Sequence, residues 1–239
     1  MKIIPLLYRK ISAIKSPICK FSTYKKIFTG KDTFALQKKK NFKELQFKKC
    51  STLEEATLFA AQNFGVKHFD INSITCANLV NRTLTQIHNI TNGQAIFPPT
   101  ISVYNKTHSR FAGACDNKHI EILNSTTMVD TIIHEIGHFN HRNTSSNYKK
   151  MLKLQEIMNC GIRDFSIFIK FLTDKKSRKL IKKEISPYAT SSAAEFVACT
   201  FSAIIRGKKL SPEIYNLYKI YEGPFADLFI KQNKFNMLQ

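Results

Sequence analysis

The sequence predicts an α+β fold that is mostly helical, with a small mixed sheet. Apolar residues recur at helical spacing just after residue 50 and again through most of the chain after residue 127. Short segments with strand-like composition, separated by turn residues, lie between residues 95 and 124. This order of helices, then a small sheet, then further helices is typical of the α+β class.

The first half of the chain supplies the predicted sheet and two of the helices. A helix is expected to begin at Ser51 or Thr52, because each precedes a Glu by three residues, as in a capping box. A second helix is predicted over Ile74–Ile90. The predicted strands are His68–Ile71, Ala95–Phe97, Ile101–Tyr104, Arg110–Ala114 and His119–Leu123, with a hairpin turn at Asp116-Asn117 between the last two.

Helices dominate the second half. One is expected from Thr127 to His141, where Thr127-x-x-Asp130 marks a start. The basic run from Asp174 to Lys183 is predicted to be an exposed linker. Further helices are predicted over Tyr148–Asn159, Ile162–Leu172 and Ser192–Ile205, with a last one beginning at Ser211-Pro212-Glu213.

Charge divides the chain into two predicted regions. The formal net charge is +20, and residues 1–50 hold thirteen Lys and one Arg against Asp32 and Glu44, a net of +12. We therefore expect residues 1–50 to form a basic, flexible extension and residues 51–239 to form one domain. Such an extension is either a solvated arm or a contact for a polyanion, such as nucleic acid, an anionic membrane surface or an acidic partner.

Cysteine usage and hydropathy indicate the compartment. The six Cys include no C-x-x-C pair, so we expect reduced thiols in a cytosol-like compartment. No apolar run approaches the roughly 20 residues that cross a bilayer, so no transmembrane segment is predicted. The apolar segment Ile3–Tyr8 is shorter than the ~7–15 residues of a secretory signal. A cytoplasmic or virion-associated protein is therefore favoured over a secreted one.

The strongest chemical pattern is His134-Glu135-Ile136-Gly137-His138, which fits H-E-x-x-H. Residues four apart on a helix lie one turn apart on the same face, so both imidazoles can approach one ion. Neutral imidazole nitrogens suit Zn²⁺, and Glu135 is placed to lie beside the ion. The alternative is a surface helix with two solvated histidines, which the apolar neighbours Ile132, Ile133 and Phe139 disfavour.

A catalytic zinc site needs a third protein ligand and one open position. No His follows His141, which itself lies two helical turns, or ~10 Å, from His134. His141 is therefore expected behind the ligands or at the surface, and His108 and His119 near the hairpin are minor candidates. The downstream carboxylates are the remaining candidates: Glu156, Asp164, Asp174, Glu184, Glu195, Glu213, Glu222 and Asp227.

Glu195 is the favoured third ligand because its surroundings are apolar. It lies within Ala193–Ala198, and the same predicted helix continues through Phe201 to Ile205. A carboxylate in such surroundings needs a partner, since burying it unpaired is costly. Ser192-x-x-Glu195 also fits a capping box, in which Glu195 would only cap its helix. The histidine pair earlier in the chain favours the ligand role.

Together these motifs identify a resemblance. The H-E-x-x-H segment, followed by Tyr188-Ala189 and then Glu195-Phe196-Val197-Ala198, resembles the gluzincin metallopeptidases of the anthrax lethal factor type. Bacterial Pro-Pro endopeptidases and many phage-encoded proteins share this pattern, including a Tyr seven positions before the ligand Glu. The resemblance covers roughly residues 51–205 and does not extend to residues 1–50.

This resemblance implies a zincin-like metallopeptidase domain with one Zn²⁺ per chain. By position, the ligands would be His134, His138 and Glu195. Glu135 would be the catalytic base that takes a proton from a zinc-activated water and passes it to the leaving amine. Tyr188 would donate a hydrogen bond to the developing oxyanion, although its ring could instead serve packing alone.

The chain departs from the family pattern at Cys199. Relatives commonly carry a second Glu four residues after the ligand Glu, where a carboxylate could orient a metal-bound His. Cys199 is a poorer orienting group, so a lower metal affinity or rate is expected. A minor alternative is that Cys199 binds the zinc as a thiolate.

Two main functions are compatible with these features. In the first, the protein is a zinc endopeptidase, and the hairpin Arg110–Asn124 is a substrate-side edge strand that pairs with an extended peptide or protein substrate. In the second, it is a basic nucleic-acid- or virion-associated protein with a zincin fold and little or no peptidase activity. The charge of residues 1–50 favours the second, but that region lacks interleaved aromatic residues. A toxin-like effector acting inside another cell would need a delivery route, which the sequence does not show.

Overall fold

The computed structural model describes residues 42–105, 112–146 and 174–236 of the chain. These ranges form an α+β fold, which confirms the predicted class. The helices are α1 (Leu53–Phe64), α2 (Ile74–Ile90), α3 (Met128–Thr144), α4 (Lys175–Glu184), α5 (Ala193–Ile205), α6 (Pro212–Ile220) and α7 (Ala226–Asn236), with a 3₁₀ turn at Tyr188–Thr190. The strands are β1 (His68–Asp70), β2 (Thr100–Tyr104), β3 (Gly113–Cys115) and β4 (His119–Leu123).

The sheet is small and mixed, with the strand order β1-β2-β4-β3. β2 pairs in parallel with both β1 and β4, whereas β3 pairs antiparallel with β4 in the predicted hairpin. Asp116 holds the hairpin turn, because its Oδ1 accepts hydrogen bonds from the backbone N–H groups of Lys118 and His119. β3 is therefore an edge strand among the described strands. The sheet packs against α3, which also contacts α2 and α5.

Helix α1 begins at one of the two predicted caps, with Thr52 as the N-cap and Ser51 preceding it. The Thr52 hydroxyl accepts a hydrogen bond from the backbone N–H of Glu55 at 3.2 Å. The Glu55 carboxylate in turn accepts one from the N–H of Ser51 at 2.7 Å. Gly65 ends the helix in the left-handed conformation at φ +70°, which glycine adopts without steric cost. The second helix, α2, has the predicted bounds.

Residues 42–50 join the fold through two asparagines of α2. The side chain of Asn78 accepts a hydrogen bond from the backbone N–H of Cys50 and donates one to its carbonyl, at 2.8 and 2.9 Å. Asn89 pairs with the backbone of Leu45 in the same way, at 2.9 Å for both bonds. Part of the predicted basic extension thus hydrogen-bonds to α2, and residues 1–41 lie outside the described residues.

The prediction of an exposed linker over Asp174–Lys183 is wrong, because these residues form α4. The carboxylate of Asp174 caps the helix by accepting a hydrogen bond from the N–H of Ser177 at 3.0 Å. Ile181 is fully buried in the core and Leu180 packs against it, while all five lysines of the helix are exposed. One N-cap and one narrow apolar face therefore stabilise this helix, although its lysine-rich composition gives little indication of it.

The predicted strand Ala95–Phe97 is also wrong. Asn140 of α3 takes the place of a neighbouring strand by bonding both backbone groups of Ile96. Its Oδ1 accepts from the Ile96 N–H and its Nδ2 donates to the Ile96 carbonyl, each at 2.9 Å. One buried side chain therefore satisfies backbone groups that a strand would have paired.

Other predictions divide between confirmed and untested. Helices α5 and α6 begin as expected, with Ser192 and Ser211 as their N-caps. The helix α7 and the 3₁₀ turn at Tyr188–Thr190 were not expected. The predicted helices Tyr148–Asn159 and Ile162–Leu172 lie outside the described residues. No helix in the described ranges is both long and apolar enough to span a bilayer.

His141 is not at the surface, contrary to one of the two expectations for it. Its side chain is fully buried, and Nε2 lies 3.1 Å from the backbone carbonyl of Tyr221. Burial, together with the nearby His138, lowers the pKa of His141 to about 4. Ser145 and Ser146 add hydrogen bonds to the Glu222 carboxylate at 2.5 and 3.1 Å. The carboxyl end of α3 is thus anchored to the turn that follows α6.

The burial of His141 predicts an acid-sensitive fold. Its pKa is lower in the folded protein than the ~6.5 of an unfolded chain, so the unfolded state takes up the proton first. The contribution of the buried, neutral His141 to the free energy of unfolding is complete above about pH 6.5. It is lost as the pH falls toward 4, by an amount on the order of 3 kcal/mol. We expect the free energy of unfolding of His141→Gln, measured in urea without metal, to depend less on pH across this window.

His68→Gln, at an exposed position of β1, is the matched control and should keep the pH dependence of the wild type. Equal pH dependence in His141→Gln and the wild type would contradict the assignment of this acid sensitivity to His141.

Candidate metal centre

The candidate site forms where α3 and α5 pack closely, and Gly137 permits that packing. A Cβ built on Gly137 would lie 3.0 Å from Cδ1 of Phe201 and 3.2 Å from the backbone Cα of Ala198. These distances are shorter than ordinary van der Waals contacts, so the two helices can approach this closely only because residue 137 lacks a side chain. The close packing places Glu195 of α5 opposite the imidazoles of α3.

The three side chains predicted as metal ligands come together. Nε2 of His134 lies 3.0 Å from Nε2 of His138 and 3.1 Å from Oε2 of Glu195. The third side of the triangle, from His138 Nε2 to the same carboxylate oxygen, is 3.4 Å. Each side chain is only 16–23% exposed. These three residues could hold a metal ion, and they are the one such group found among the described residues.

Burial and charge favour a cation at this triangle. Apart from its two imidazole neighbours, the buried Oε2 of Glu195 has no hydrogen-bond partner among the described residues. Burial by itself lowers the pKa of His134, but the contacts with Cys199 and Glu195 outweigh it and raise that pKa to about 10. The same imidazoles hold the pKa of Glu195 far below its ordinary value, although burial opposes this. The group therefore attracts positive charge.

The two roles considered for Glu195 use different atoms. Its backbone N–H donates to the hydroxyl of Ser192 at 3.1 Å, which caps α5. Its carboxylate instead points at His134 and His138. Ser192 therefore acts as the helix cap, and the Glu195 side chain remains available as a ligand.

Glu135 lies beside the triangle, between α3 and the edge strand β3. It is only 7% exposed. A Cβ on Gly113 of β3 would lie 2.9 Å from Oε1 of Glu135 and 2.6 Å from Cγ2 of Thr131. The absence of a side chain at residue 113 therefore leaves room for the Glu135 carboxylate. Burial raises the pKa of Glu135 against the opposing effect of the two imidazoles, which makes its carboxylate a better proton acceptor.

Tyr188 lies close to His134, in the 3₁₀ turn before α5. Its ring centroid lies 6.1 Å from that of His134, and the residue is 58% exposed. Burial, followed by the nearby Glu195 carboxylate, raises the pKa of Tyr188 to about 12. The hydroxyl thus keeps its proton at neutral pH and can donate a hydrogen bond.

A cleft of about 510 Å³ opens beside these residues. Its walls come from β3, α3, α5 and the segment around the 3₁₀ turn, and they include Gly113, Glu135, His134, Tyr188 and Cys199. A larger groove of about 740 Å³ lies between α4 and α6, lined by lysines and by Leu180, Leu217 and Ile220. That groove contains none of the predicted site residues, so the chemistry of the side chains favours the smaller cleft.

Cys199 contacts His134 from the side opposite the triangle. Its Sγ lies 3.8 Å from Nδ1 of His134, whereas Nε2 of the same ring faces Glu195 and His138. The thiol does not belong to the group of three side chains that could hold a metal ion. This geometry disfavours Cys199 as a thiolate ligand of a metal. It supports the expectation that residue 199 is placed to orient a histidine, here His134.

The other candidates have different contacts or are not described. His119 contacts the Ser102 hydroxyl at 2.9 Å and does not belong to the group that could hold a metal ion. Four of the carboxylates bond elsewhere, with a backbone N–H, a serine hydroxyl or a lysine: Asp174, Glu184, Glu222 and Asp227. Glu213 is exposed on α6. His108, Glu156 and Asp164 lie outside the described residues.

Two glycines that shape the site were missed in the sequence. Gly137 lies in the middle of a helix, where glycine costs roughly 0.5–1 kcal/mol relative to alanine. Such a glycine indicates close packing, so the sequence offered a usable sign. Gly113 carried no comparable sign, because its contact with Glu135 depends on how β3 packs over α3.

Comparisons with protein-family models, curated proteins and solved structures found no match to this chain. The resemblance to gluzincins therefore rests on the motif residues themselves.

The close packing at Gly137 predicts that Gly137→Ala weakens metal binding. The added methyl group must push α5 away from α3, and Glu195 moves with α5. We expect the metal-free protein to lose about 1–3 kcal/mol of stability in urea unfolding. We also expect weaker Zn²⁺ binding in a competition titration with a chromophoric chelator. Unchanged stability and affinity together would show that the helices do not depend on this contact.

Proposed function

We propose that this protein is a zinc-dependent endopeptidase with a zincin-like domain. The convergence of His134, His138 and Glu195 is the observation on which the proposal rests. In tetrahedral coordination with bonds of ~2.0–2.1 Å, ligand atoms lie about 3.3–3.4 Å apart. The triangle here has sides of 3.0, 3.1 and 3.4 Å, so its residue types and its dimensions fit one Zn²⁺. Three protein ligands also leave one position open, as catalysis requires.

Peptide hydrolysis fits the groups around the triangle. Bound Zn²⁺ would supply a Lewis acid that polarises the scissile carbonyl and acidifies water. Glu135 accepts a proton from the attacking water at its carboxylate and donates it to the leaving amine. Tyr188, which keeps its proton at neutral pH, donates a hydrogen bond to the carbonyl oxygen as negative charge develops there.

The edge strand β3 is the proposed substrate-binding element. One side of β3 pairs with β4, and its other side pairs with none of the described strands, so an extended peptide could pair there. Gly113 of β3 lies against Glu135, so a peptide on this edge would run past the catalytic base. Backbone pairing would position the scissile bond without requiring a particular sequence along its whole length.

Substitutions at the two glutamates separate metal binding from catalysis. Glu135→Gln should retain Zn²⁺ but cleave a peptide library roughly 10²–10⁴-fold more slowly, because the proton acceptor is lost. Glu195→Ala should lose both activity and bound zinc, because a ligand is lost. Elemental analysis after dialysis and mass spectrometry of the digested library measure the two properties.

Glu213→Gln, at an exposed position of α6, is the control and should behave like the wild type. Equal zinc content in Glu195→Ala and the wild type would exclude Glu195 as a ligand. Zinc binding without any cleavage by the wild type would instead favour the alternative function.

That alternative, a basic nucleic-acid- or virion-associated protein, has one observation of its own. Helix α4 exposes five lysines in ten residues: Lys175, Lys176, Lys179, Lys182 and Lys183. Such a surface suits a polyanion through counterion release, which makes binding salt-dependent. Salt-dependent binding of a DNA duplex, measured by fluorescence anisotropy, should weaken when three of these lysines become Gln, and also when residues 1–41 are deleted. A wild type that does not bind the duplex at low salt would exclude duplex DNA as the polyanion.

A further inference from the structure

We propose that Cys199 is a positioning residue that holds the imidazole of His134 by accepting a hydrogen bond from Nδ1 through its sulfur. The inference rests on the proposed metal site, but it does not depend on peptide hydrolysis. It gives the thiol a specific role at a position where simple packing would otherwise explain a small side chain.

The ring of His134 lies between two residues that are one turn apart on α5. Oε2 of Glu195 is 3.1 Å from Nε2, and Sγ of Cys199 is 3.8 Å from Nδ1. A metal held at the triangle would bind the lone pair of Nε2, so the proton of the neutral ring would be on Nδ1. That N–H then points at the sulfur. A single helical turn of α5 thus contacts both nitrogens of the same ligand.

Sulfur is an unusual acceptor for this purpose. Metal-bound histidines nearly always donate their second N–H to a carboxylate, a backbone carbonyl or water, and replacing that partner typically costs 10–100-fold in metal affinity. A thiol is a weaker acceptor than any of these oxygens. The affinity of the site should therefore be limited by residue 199, and an acceptor stronger than Cys should raise it.

The distance from Sγ to Nδ1 distinguishes this role from simple packing. A C–O bond is shorter than a C–S bond, so a Ser hydroxyl in the same rotamer would lie further than 3.8 Å from Nδ1. That exceeds the roughly 3.2 Å limit of an N–H···O hydrogen bond. An Asp carboxylate extends one bond further from Cβ than the sulfur does and can reach the N–H. If Cys199 only fills space, Ser should be the best replacement and Asp the worst.

The test measures Zn²⁺ dissociation constants of the full chain by competition with a chromophoric chelator. We expect Cys199→Asp to bind zinc about tenfold more tightly than the wild type, and Cys199→Ser and Cys199→Ala to bind about tenfold more weakly. Glu213→Gln, at an exposed position of α6 outside the cleft, is the control and should match the wild type. Urea unfolding without metal checks that each variant is folded.

A second readout follows the ring of His134 directly. Long-range ¹H–¹⁵N spectra of the zinc-loaded wild type and of Cys199→Asp should show a protonated Nδ1 whose proton exchanges slowly with water. In Cys199→Ala that proton should exchange faster. Equal zinc affinities in the wild type and the three variants would overturn this inference but not the proposed metal site. The same holds if Cys199→Ser keeps the wild-type affinity while Cys199→Asp loses it. A wild type that binds no zinc would overturn the proposed metal site as well.

Discussion

The contact between α3 and α5 at Gly137 is the constraint on which the site depends. The two histidines are fixed by one helix and the glutamate by another, fifty-seven residues further along from His138. Close packing of these two helices at Gly137 brings Glu195 within 3.1–3.4 Å of both imidazoles. Glycine lowers the stability of a helix, but at residue 137 it allows α3 and α5 to approach each other closely. Helix α3 is also anchored at its carboxyl end, where the buried His141 contacts the backbone carbonyl of Tyr221.

This packing also creates the electrostatic character of the site. Two imidazoles and a carboxylate, each mostly buried, face one point with little water to screen them. Burial opposes a charge on His134, but the contacts with Cys199 and Glu195 favour a proton on its ring and raise its pKa. A divalent cation at this position would satisfy all three groups together, and it would have to displace that proton on binding. A buried carboxylate that would be costly alone is therefore reasonable as a ligand.

Much of the fold was predictable because its elements begin and end with local signals. The caps at Thr52, Ser192 and Ser211 marked three helices correctly, since a hydroxyl that accepts a backbone hydrogen bond acts within a few residues. The errors arose where distant groups decided the outcome. The segment Ala95–Phe97 is not a strand because Asn140, far along the chain, bonds its backbone. Helix α4 was hidden by its lysines, and its formation depends on a core that receives Ile181.

For the candidate site, the sequence alone identified the residues whose side chains could bind a metal. The spacing of His134 and His138 depends only on the helical repeat, and Glu195 was identifiable as a carboxylate in apolar surroundings. Only the tertiary structure decided that Gly113 makes room for Glu135 and that Cys199 faces the back of His134. Periodicity and capping act between residues a few positions apart, so a sequence displays them. Contacts between a strand and a helix, or between two helices, depend on how those elements pack, and no local pattern encodes that packing.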